Sequence, residues 1–332
     1  MPSVRGLQAC LICLLTLGGC ASVQQEAQRD TSIEGSLPSS VELEETPFFP
    51  QTKYHCGPAA LATVLQAHAV NVTPDALIAQ VYLPGRKGSL QIEMIAAARQ
   101  HHALPYVLET SFSNLLTEVA AGNPVLVLQN LGLSWLPRWH YAVVVGYDLN
   151  KEELTLRSGT LKRRRTSFPV FKRTWQRADA WALVVVPAGE VPATANLSAY
   201  LKTALVFEET GMVEQALLAY HAATKRWPDQ SEAWLMSGNM AYSARQVSRA
   251  ITDYQEAAEL SPKDSRIWNN LAYALREQGC SKQAMEALRH ALRIAPNDLN
   301  LKDSLKEFEE TIPEKASSRC DQNPDDGLTG HH

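Results

Sequence analysis

The sequence has little excess of charge of either sign. It contains 31 Lys and Arg residues against 35 Asp and Glu residues, which gives a formal net charge of −4. A domain that binds nucleic acid needs a basic surface to neutralise phosphates, so nucleic acid is not an expected partner. The basic run Lys162–Arg165 is an exception, and we interpret it as the solvated edge of a hairpin.

Long apolar runs are also lacking. The stretch Gly6–Gly19 has 14 residues, whereas a membrane-spanning helix needs about 20. Because Arg5 is the only charge in the first 25 residues, this stretch is typical of a signal peptide over 1–19. The remaining composition is that of an ordinary globular protein, and 332 residues suggest two domains.

The end of this stretch, Leu17-Gly18-Gly19-Cys20, resembles a bacterial lipobox. The resemblance implies that Cys20 carries a lipid and anchors the chain in the cell envelope, facing the periplasm. Ala21 after the cysteine points to the outer membrane. An uncleaved anchor and a secretory signal with an incidental cysteine are the alternatives. The polar residues that follow predict a flexible tether over 20–41.

Few cysteines remain for pairing. Of the six in the sequence, two fall in the predicted signal peptide and one is the predicted lipid site, which leaves Cys56, Cys280 and Cys320. Three thiols in an oxidising compartment cannot all pair, so at least one is expected to be free. A disulfide between Cys280 and Cys320 is one possibility. No structural metal site is expected from these positions.

The second half of the chain repeats itself. Pro228, Pro262 and Pro296 are each 34 residues apart. Other columns keep the same period: Tyr200, Trp234 and Trp268; Ala216, Ala250 and Ala284; Ala223, Ala257 and Ala291. This pattern resembles the tetratricopeptide repeat. It predicts an all-α solenoid of three units and a capping helix over 198–310, followed by a disordered tail over 311–332.

A stack of such helix hairpins forms a concave groove, which in repeat proteins usually binds a peptide or an extended protein segment. The repeats are therefore expected to bind a protein partner or substrate. The alternative is that three repeats only cap and stabilise the neighbouring domain.

Residues 42–192, between the tether and the repeats, have the pattern of an α+β domain. Gly57-Pro58 provides a turn and a first-turn proline, after which Ala59–Ala69 favours a helix. Cys56 is therefore predicted at a helix N-terminus, where the macrodipole favours thiolate over thiol. Helices are also predicted over 71–83, 89–100 and 113–121, and strands over 125–129, 140–148 and 153–157.

The motifs QTKYHCGPAAL (51–61) and WHYAVVVGYD (139–148) resemble those of papain-like cysteine peptidases of the bacteriocin-processing type, whose domains cut leader peptides after a double glycine. The resemblance implies that Cys56 is the nucleophile and that His140 is the general base and then the acid. It also implies that Gln51 shares an oxyanion hole with the Cys56 backbone N–H.

One position departs from that family, in which an Asp followed by Pro orients the histidine. Here the corresponding residues are Leu156-Arg157-Ser158-Gly159. Ser158 is therefore the expected orienting residue, and Asp148 is a weaker candidate because it also suits a turn. A neutral orienting group stabilises an imidazolium less than a carboxylate does, so a slower or more restricted enzyme is expected.

Other aromatic and histidine residues carry weaker signals. The tryptophans Trp135, Trp139 and Trp181 are expected either to line or support the cleft wall or to pack in the core. The remaining histidines of this region are interpreted as surface or helix-end residues; they are His55, His68, His101 and His102.

These patterns together predict a lipid-anchored envelope cysteine peptidase whose repeats recruit a protein or peptide substrate. Neither a metal nor a cofactor is expected, and the sequence has no Walker motif. One alternative is a peptide-binding lipoprotein with a degenerate, weak or inactive peptidase fold that acts as a scaffold in an envelope complex. Another is acyl transfer to an amine instead of water.

Overall fold

The computed structural model of the chain describes residues 37–51 and 54–311. The predicted signal peptide, Cys20 and Cys320 lie outside the described residues, as does the predicted tail beyond Thr311. The chain divides into two compact units. One comprises the residues up to 101, 105–186 and 192–194, and the other comprises 102–104, 187–191 and the residues from 195 onward.

The first unit is built on a seven-stranded sheet, counted over the described residues. Its strands are β1 (Ser40–Glu42), β2 (Ala103–Val107), β3 (Val125–Asn130), β4 (Trp139–Asp148), β5 (Glu153–Ser158), β6 (Leu161–Ser167) and β7 (Ala182–Pro187). They follow the order β2-β7-β3-β4-β5-β6, and β1 pairs with β4.

Strand β4 organises this sheet. Its first six residues pair antiparallel with β3, and its last three pair with β1. All six residues of β3 are buried, as expected for a central strand that is covered on both faces. Strand β6, in contrast, carries the basic run on its exposed surface, where Arg163 Nε donates to Glu42 Oε1 at 2.6 Å.

Five helices accompany the sheet: α1 (Cys56–Ala67), α2 (Pro74–Val81), α3 (Gln91–Gln100), α4 (Phe112–Ala120) and α5 (Phe168–Gln176). Side-chain caps define two of their starts. Thr73 Oγ1 accepts from the Ala76 N–H and Ser111 Oγ from the Asn114 N–H, both at 3.3 Å. Helix α1 is deeply buried against the sheet through Ala60, Leu61 and Leu65.

The observed bounds differ from the expectations at several places. Helix α1 starts three residues earlier than the predicted helix, because Cys56 and Gly57 already have helical geometry. The helix predicted over 71–83 shortens to α2, since Thr73 caps it. The predicted tether over 20–41 runs too far, because Ser40 and Val41 pair with β4 and are part of the sheet. Five elements of this unit were not predicted as strands or helices: β1, β2, β6, α5 and β7, although the basic run in β6 was interpreted as the edge of a hairpin.

The second unit is helical. Its elements are α6 (Leu197–Glu209), α7 (Val213–Arg226), α8 (Ser231–Ser243), α9 (Val247–Leu260), α10 (Ser265–Gln278), α11 (Ser281–Ile294) and α12 (Leu299–Thr311). The alanines of the two periodic columns are buried without exception, which lets paired helices approach closely. The predicted fold class, an α+β domain followed by a helical solenoid, is confirmed.

The same hydrogen bond recurs at the repeat junctions. Trp234 Nε1 donates to the Pro228 carbonyl at 2.9 Å, and Trp268 Nε1 donates to the Pro262 carbonyl at 2.9 Å. Cys280 lies in the turn before α11 and is disulfide-bonded. Among the described residues, no helix is long and apolar enough to cross a membrane.

Candidate active site

The thiol of Cys56 lies at the first residue of α1, as the sequence predicts. It is a free thiol and is partly buried. Cys56 lines a cleft with a volume of about 1050 Å³, together with Gln51 and His140. The three residues that the two motifs supply therefore lie in one cleft, although the first and the last are 89 positions apart in the sequence.

The imidazole of His140 is held by Ser158. His140 is the second residue of β4, and Ser158 is the last residue of the neighbouring strand β5. His140 Nε2 and Ser158 Oγ are 2.9 Å apart, the usual length of a hydrogen bond, and the two groups lie on adjacent strands. Since Ser158 is buried, with 3% of its surface exposed, this bond is shielded from water.

Gln51 is fixed by the glycine that follows Ser158. The Gly159 N–H donates to Gln51 Oε1 at 3.2 Å, and the Gln51 N–H donates to the Gly159 carbonyl at 3.0 Å. These bonds leave Gln51 Nε2 as the donor end of the amide, with a long contact of 3.5 Å to the Tyr141 carbonyl. Gly159 has φ +62°, a conformation that favours glycine. One tight turn therefore holds both the histidine and the glutamine.

The charge state of the thiol differs from the expectation. Burial raises the pKa of Cys56, and backbone N–H groups of Tyr141, Gly57 and Cys56 act in the opposite direction with a smaller effect. The N–H groups at the helix N-terminus act towards the thiolate, as the sequence predicts, but burial outweighs them in the free protein. The physical reason is that the cost of placing a charge away from water exceeds the help from the amide dipoles.

The imidazole is held neutral as well. Burial, with smaller contributions from the positive charges of Arg164 and Arg138, lowers the pKa of His140 to about 4. At neutral pH the free protein therefore carries a neutral imidazole and a neutral thiol. A neutral imidazole can serve a neutral thiol as a general base, taking its proton as the sulfur attacks a carbonyl.

Two family models match the chain. The Peptidase_C39 like family matches residues 43–181, and the tetratricopeptide repeat matches 201–265 and 235–298. The chain joins a Peptidase_C39-like domain to tetratricopeptide repeats. This confirms the fusion that the motifs and the 34-residue period predict. The cleft that Cys56, His140 and Gln51 line lies in the peptidase-like domain.

Other matches are partial. A curated relative, the peroxisomal targeting signal receptor of Saccharomyces cerevisiae, is 29% identical over 93 residues, which are 28% of this chain and only 15% of that receptor. The Arabidopsis OM64 TPR domain is 17% identical and covers 35% of this chain and 96% of its own, with a TM-score of 0.33. A Yersinia enterocolitica type III secretion chaperone, SycD, is 20% identical and covers 34% and 92%, with a TM-score of 0.33.

Asp148 is separated from the cleft of the peptidase-like domain. It ends β4, eight residues after His140, which in an extended strand is about 26 Å. Its Oδ1 accepts from the Lys151 N–H at 3.1 Å, and its Oδ2 bonds the Lys151 ammonium. Asp148 is therefore a turn-forming residue, and the weaker expectation that it orients His140 is wrong.

The tryptophans and the other histidines divide by position. Trp139 lines the cleft, whereas Trp181 packs edge-on against Tyr141 at 5.9 Å and so supports the cleft from behind. Trp135 is 78% exposed and does neither. His68 and His101 follow the ends of α1 and α3, which agrees with their interpretation as helix-end residues.

Sequence reasoning missed two residues near the site. Gly159 binds Gln51 through its backbone, and its only signal was its place after Ser158 in a turn. Arg138 lines the cleft and lowers the pKa of His140. Its position two residues before His140 gave a signal, since flanking charges tune the pKa of a catalytic group.

Proposed function

We propose that the chain is a lipid-anchored cysteine peptidase of the bacterial cell envelope. The observation that carries the proposal is the 2.9 Å bond between His140 Nε2 and Ser158 Oγ, at a cleft that Cys56 and Gln51 also line. Since Ser158 engages Nε2, Nδ1 is the ring nitrogen that exchanges a proton with the thiol. The hydroxyl fixes the tautomer and the orientation that this exchange requires.

In this mechanism the Cys56 sulfur attacks the carbonyl carbon of the scissile peptide, and His140 takes the thiol proton. Gln51 Nε2 and the Cys56 backbone N–H donate to the oxyanion that forms. His140 then gives its proton to the departing amine, which leaves a thioester. Water, deprotonated by the same imidazole, attacks the thioester and releases the acid and the free thiol.

The repeats are assigned to substrate recruitment. Tetratricopeptide repeats typically bind protein or peptide segments in their concave groove. In this chain such a segment would be the peptidase substrate or a partner that delivers the substrate. Membrane anchoring rests on the lipobox-like sequence at Cys20, and the anchor would hold the enzyme near other envelope proteins. Double-glycine specificity is not part of the proposal.

A second candidate function is peptide binding by a catalytically weak domain that acts as a scaffold. The observation that favours it is the neutral site: the pKa of Cys56 is raised, the pKa of His140 is lowered to about 4, and the orienting group is a hydroxyl. Each of these features lowers the fraction of reactive thiolate.

The test is covalent labelling of the full chain with a peptidyl epoxysuccinate, followed by intact mass measurement. The variants are Cys56→Ala, His140→Ala and the control His68→Ala, which removes a histidine of the same domain that does not line the cleft. The peptidase proposal expects labelling on Cys56 only, slowed at least tenfold by His140→Ala and unchanged by His68→Ala.

Labelling of Cys56 that is independent of His140 would overturn the peptidase and support the scaffold. Hydrolysis and acyl transfer are separated by product mass in the presence of an added amine. A product that carries the amine identifies transfer, whereas the free acid identifies hydrolysis.

A further inference from the structure

An exposed apolar loop joins β3 to β4 directly beside the cleft. Within residues 131–139, called the 131–139 loop below and ending with Trp139, the first residue of β4, the exposed side chains are Leu133, Trp135, Leu136 and Trp139, with 51, 78, 60 and 57% of their surface exposed. Four exposed large apolar side chains within seven residues are unusual on a protein surface that faces water. Such clusters mark places where another molecule binds.

The loop is held in one conformation. Buried Asn130 accepts with Oδ1 from the Gly132 N–H and from the Arg138 N–H, both at 2.9 Å. Leu133 and Leu136 exchange two backbone hydrogen bonds of 3.1 Å. A Cβ at Gly132 would lie 2.3 Å from the Leu136 carbonyl oxygen, so only glycine fits there. The apolar side chains are therefore held outward on a rigid frame, which lowers the entropy cost of binding a partner.

The cleft that the loop borders is locally basic. Arg86, Lys87 and Arg138 line it, against one acidic lining residue, Asp179. Within the described part of the chain, none of the three basic residues forms an ion pair. The positive charge at the cleft contrasts with the net charge of −4 for the whole chain. Unneutralised positive charges on a cleft wall attract a ligand of negative charge.

Loop and cleft are continuous, because Arg138 and Trp139 belong to both. We propose that the peptidase substrate is an acidic polypeptide segment with a large apolar residue close to its acidic residues. The apolar side chain binds the 131–139 loop, and the carboxylates bind Arg138, Arg86 and Lys87. This proposal rests on the proposed peptidase function and names the substrate class for it.

The test uses four tetrapeptidyl vinyl sulfones with the sequences Glu-Leu-Glu-Gly, Gln-Leu-Gln-Gly, Lys-Leu-Lys-Gly and Glu-Ser-Glu-Gly. The rate of Cys56 modification in the full chain is read by intact mass. We expect the Glu-Leu probe to react at least tenfold faster than the Lys-Leu probe and at least threefold faster than the Glu-Ser probe. The acidic preference should shrink as ionic strength rises.

Two variants assign these preferences to residues. Arg138→Gln should reduce the Glu-Leu over Lys-Leu ratio at least threefold, and the double variant Trp135→Ser, Leu136→Ser should reduce the Glu-Leu over Glu-Ser ratio. Ratios are compared because Arg138 also lowers the pKa of His140, which changes the rate of every probe alike. The matched controls on α5, Arg173→Gln and Val170→Ser, should leave both ratios unchanged.

Equal rates for acidic and basic probes, or ratios that the loop and Arg138 variants leave unchanged, would overturn the proposal. The proposal would also be overturned if the double variant Trp135→Ser, Leu136→Ser lost binding to phosphatidylglycerol vesicles but kept the wild-type probe ratios. In that case the loop would contact a lipid bilayer and not the substrate. Iodoacetamide separates this failure from failure of the peptidase. If His140→Ala slows alkylation of Cys56 by iodoacetamide, the thiol and imidazole pair stands and only the substrate class has failed.

Discussion

The repeats and the peptidase-like domain are stabilised by different kinds of contact. In the repeats the same contact occurs more than once, as in the bonds from Trp234 and Trp268 to the preceding prolines. In the peptidase-like domain the important contacts occur once, as in the bonds from His140 to Ser158 and from Gln51 to Gly159. Loss of one contact should therefore lower the free energy of unfolding in the repeats, whereas in the peptidase-like domain it should lower the reactivity of Cys56.

Two tightly packed helix glycines offer the strongest test of this difference. In the peptidase-like domain, a Cβ at Gly57 would lie 2.2 Å from Ser89 Oγ. Because Gly57 follows Cys56 in α1, relief of this clash must displace the thiol or the cleft wall. We expect Gly57→Ala to slow labelling of Cys56 by the peptidyl epoxysuccinate about a hundredfold, the loss typical of a 1 Å misplacement.

The matched change in the repeats is Gly238→Ala. Its Cβ would lie 2.6 Å from Cδ1 of the Tyr254 ring, which is buried. We expect a loss of about 1 to 3 kcal/mol in the free energy of unfolding from overpacking, measured by urea denaturation, with no change in Cys56 labelling. If Gly238→Ala slows labelling as much as Gly57→Ala does, the contrast between the two regions is wrong.

The next largest effect concerns pH. The pKa of His140 is about 4 in the folded protein, below the usual value of 6.5, mainly because the ring is buried. The unfolded chain therefore binds a proton at a higher pH than the folded chain does, and this contribution to stability is lost as pH falls from 6.5 to 4. Between pH 6.5 and 5 we expect a loss of about 2 kcal/mol that His140→Gln does not show.

A histidine in the repeats provides the comparison. Burial also lowers the pKa of His221, with Arg249 and Lys225 acting in the same direction, but His221 is exposed on the surface. The loss of stability that His221 causes as pH falls should be much smaller than that of His140, because water screens the charge on an exposed ring. Urea denaturation from pH 4 to 8 of the wild type, His140→Gln and His221→Gln checks both statements. Equal slopes for all three proteins would contradict the assignment.

The repeats could be predicted more completely than the site. Their 34-residue period shows itself in several columns of the sequence at once, so the number and order of helices followed from it. The sheet was harder, since β6 has no apolar face and β2 contains Pro105, which disfavours a strand. Strand β7 has β-branched Val184, Val185 and Val186, and that signal was overlooked.

Within the site, the motifs located Cys56, His140 and Gln51, but the partners of these residues were less accessible. The bond between Gly159 and Gln51 joins residues 108 positions apart, and nothing in a single sequence reports such a pair. The charge states of Cys56 and His140 could not be predicted from the sequence either. A helix N-terminus can be identified in the sequence, whereas the burial that raises the pKa of the thiol depends on the folded cleft.

A smaller effect is expected from the orienting hydroxyl. Ser158→Ala removes the bond to His140 Nε2 and frees the ring to rotate, so labelling of Cys56 should slow about tenfold, or about 1.4 kcal/mol in activation free energy. Ser158→Asp should raise the pKa of His140 by adding a negative charge, which shifts the pH dependence of labelling to higher pH.

The control for this change is a buried serine of the repeats. Ser237 Oγ donates to Asp253 Oδ2 at 2.7 Å, so Ser237→Ala removes a comparable bond. It should lower stability and leave the labelling rate unchanged. Unaltered labelling in Ser158→Ala would contradict an orienting role for the hydroxyl.

The smallest expected effect tests whether repeated contacts are truly equivalent. Trp234→Phe and Trp268→Phe each remove one Nε1 bond of 2.9 Å to a proline carbonyl and keep most of the ring. Since both bonds are exposed, each change should cost about 0.5 kcal/mol, the low end for a single hydrogen bond. The two costs should be equal and should add in the double variant, because the bonds lie 34 residues apart in separate hairpins. Unequal costs by urea denaturation would mean that position in the stack, and not the contact itself, sets the stability of each repeat.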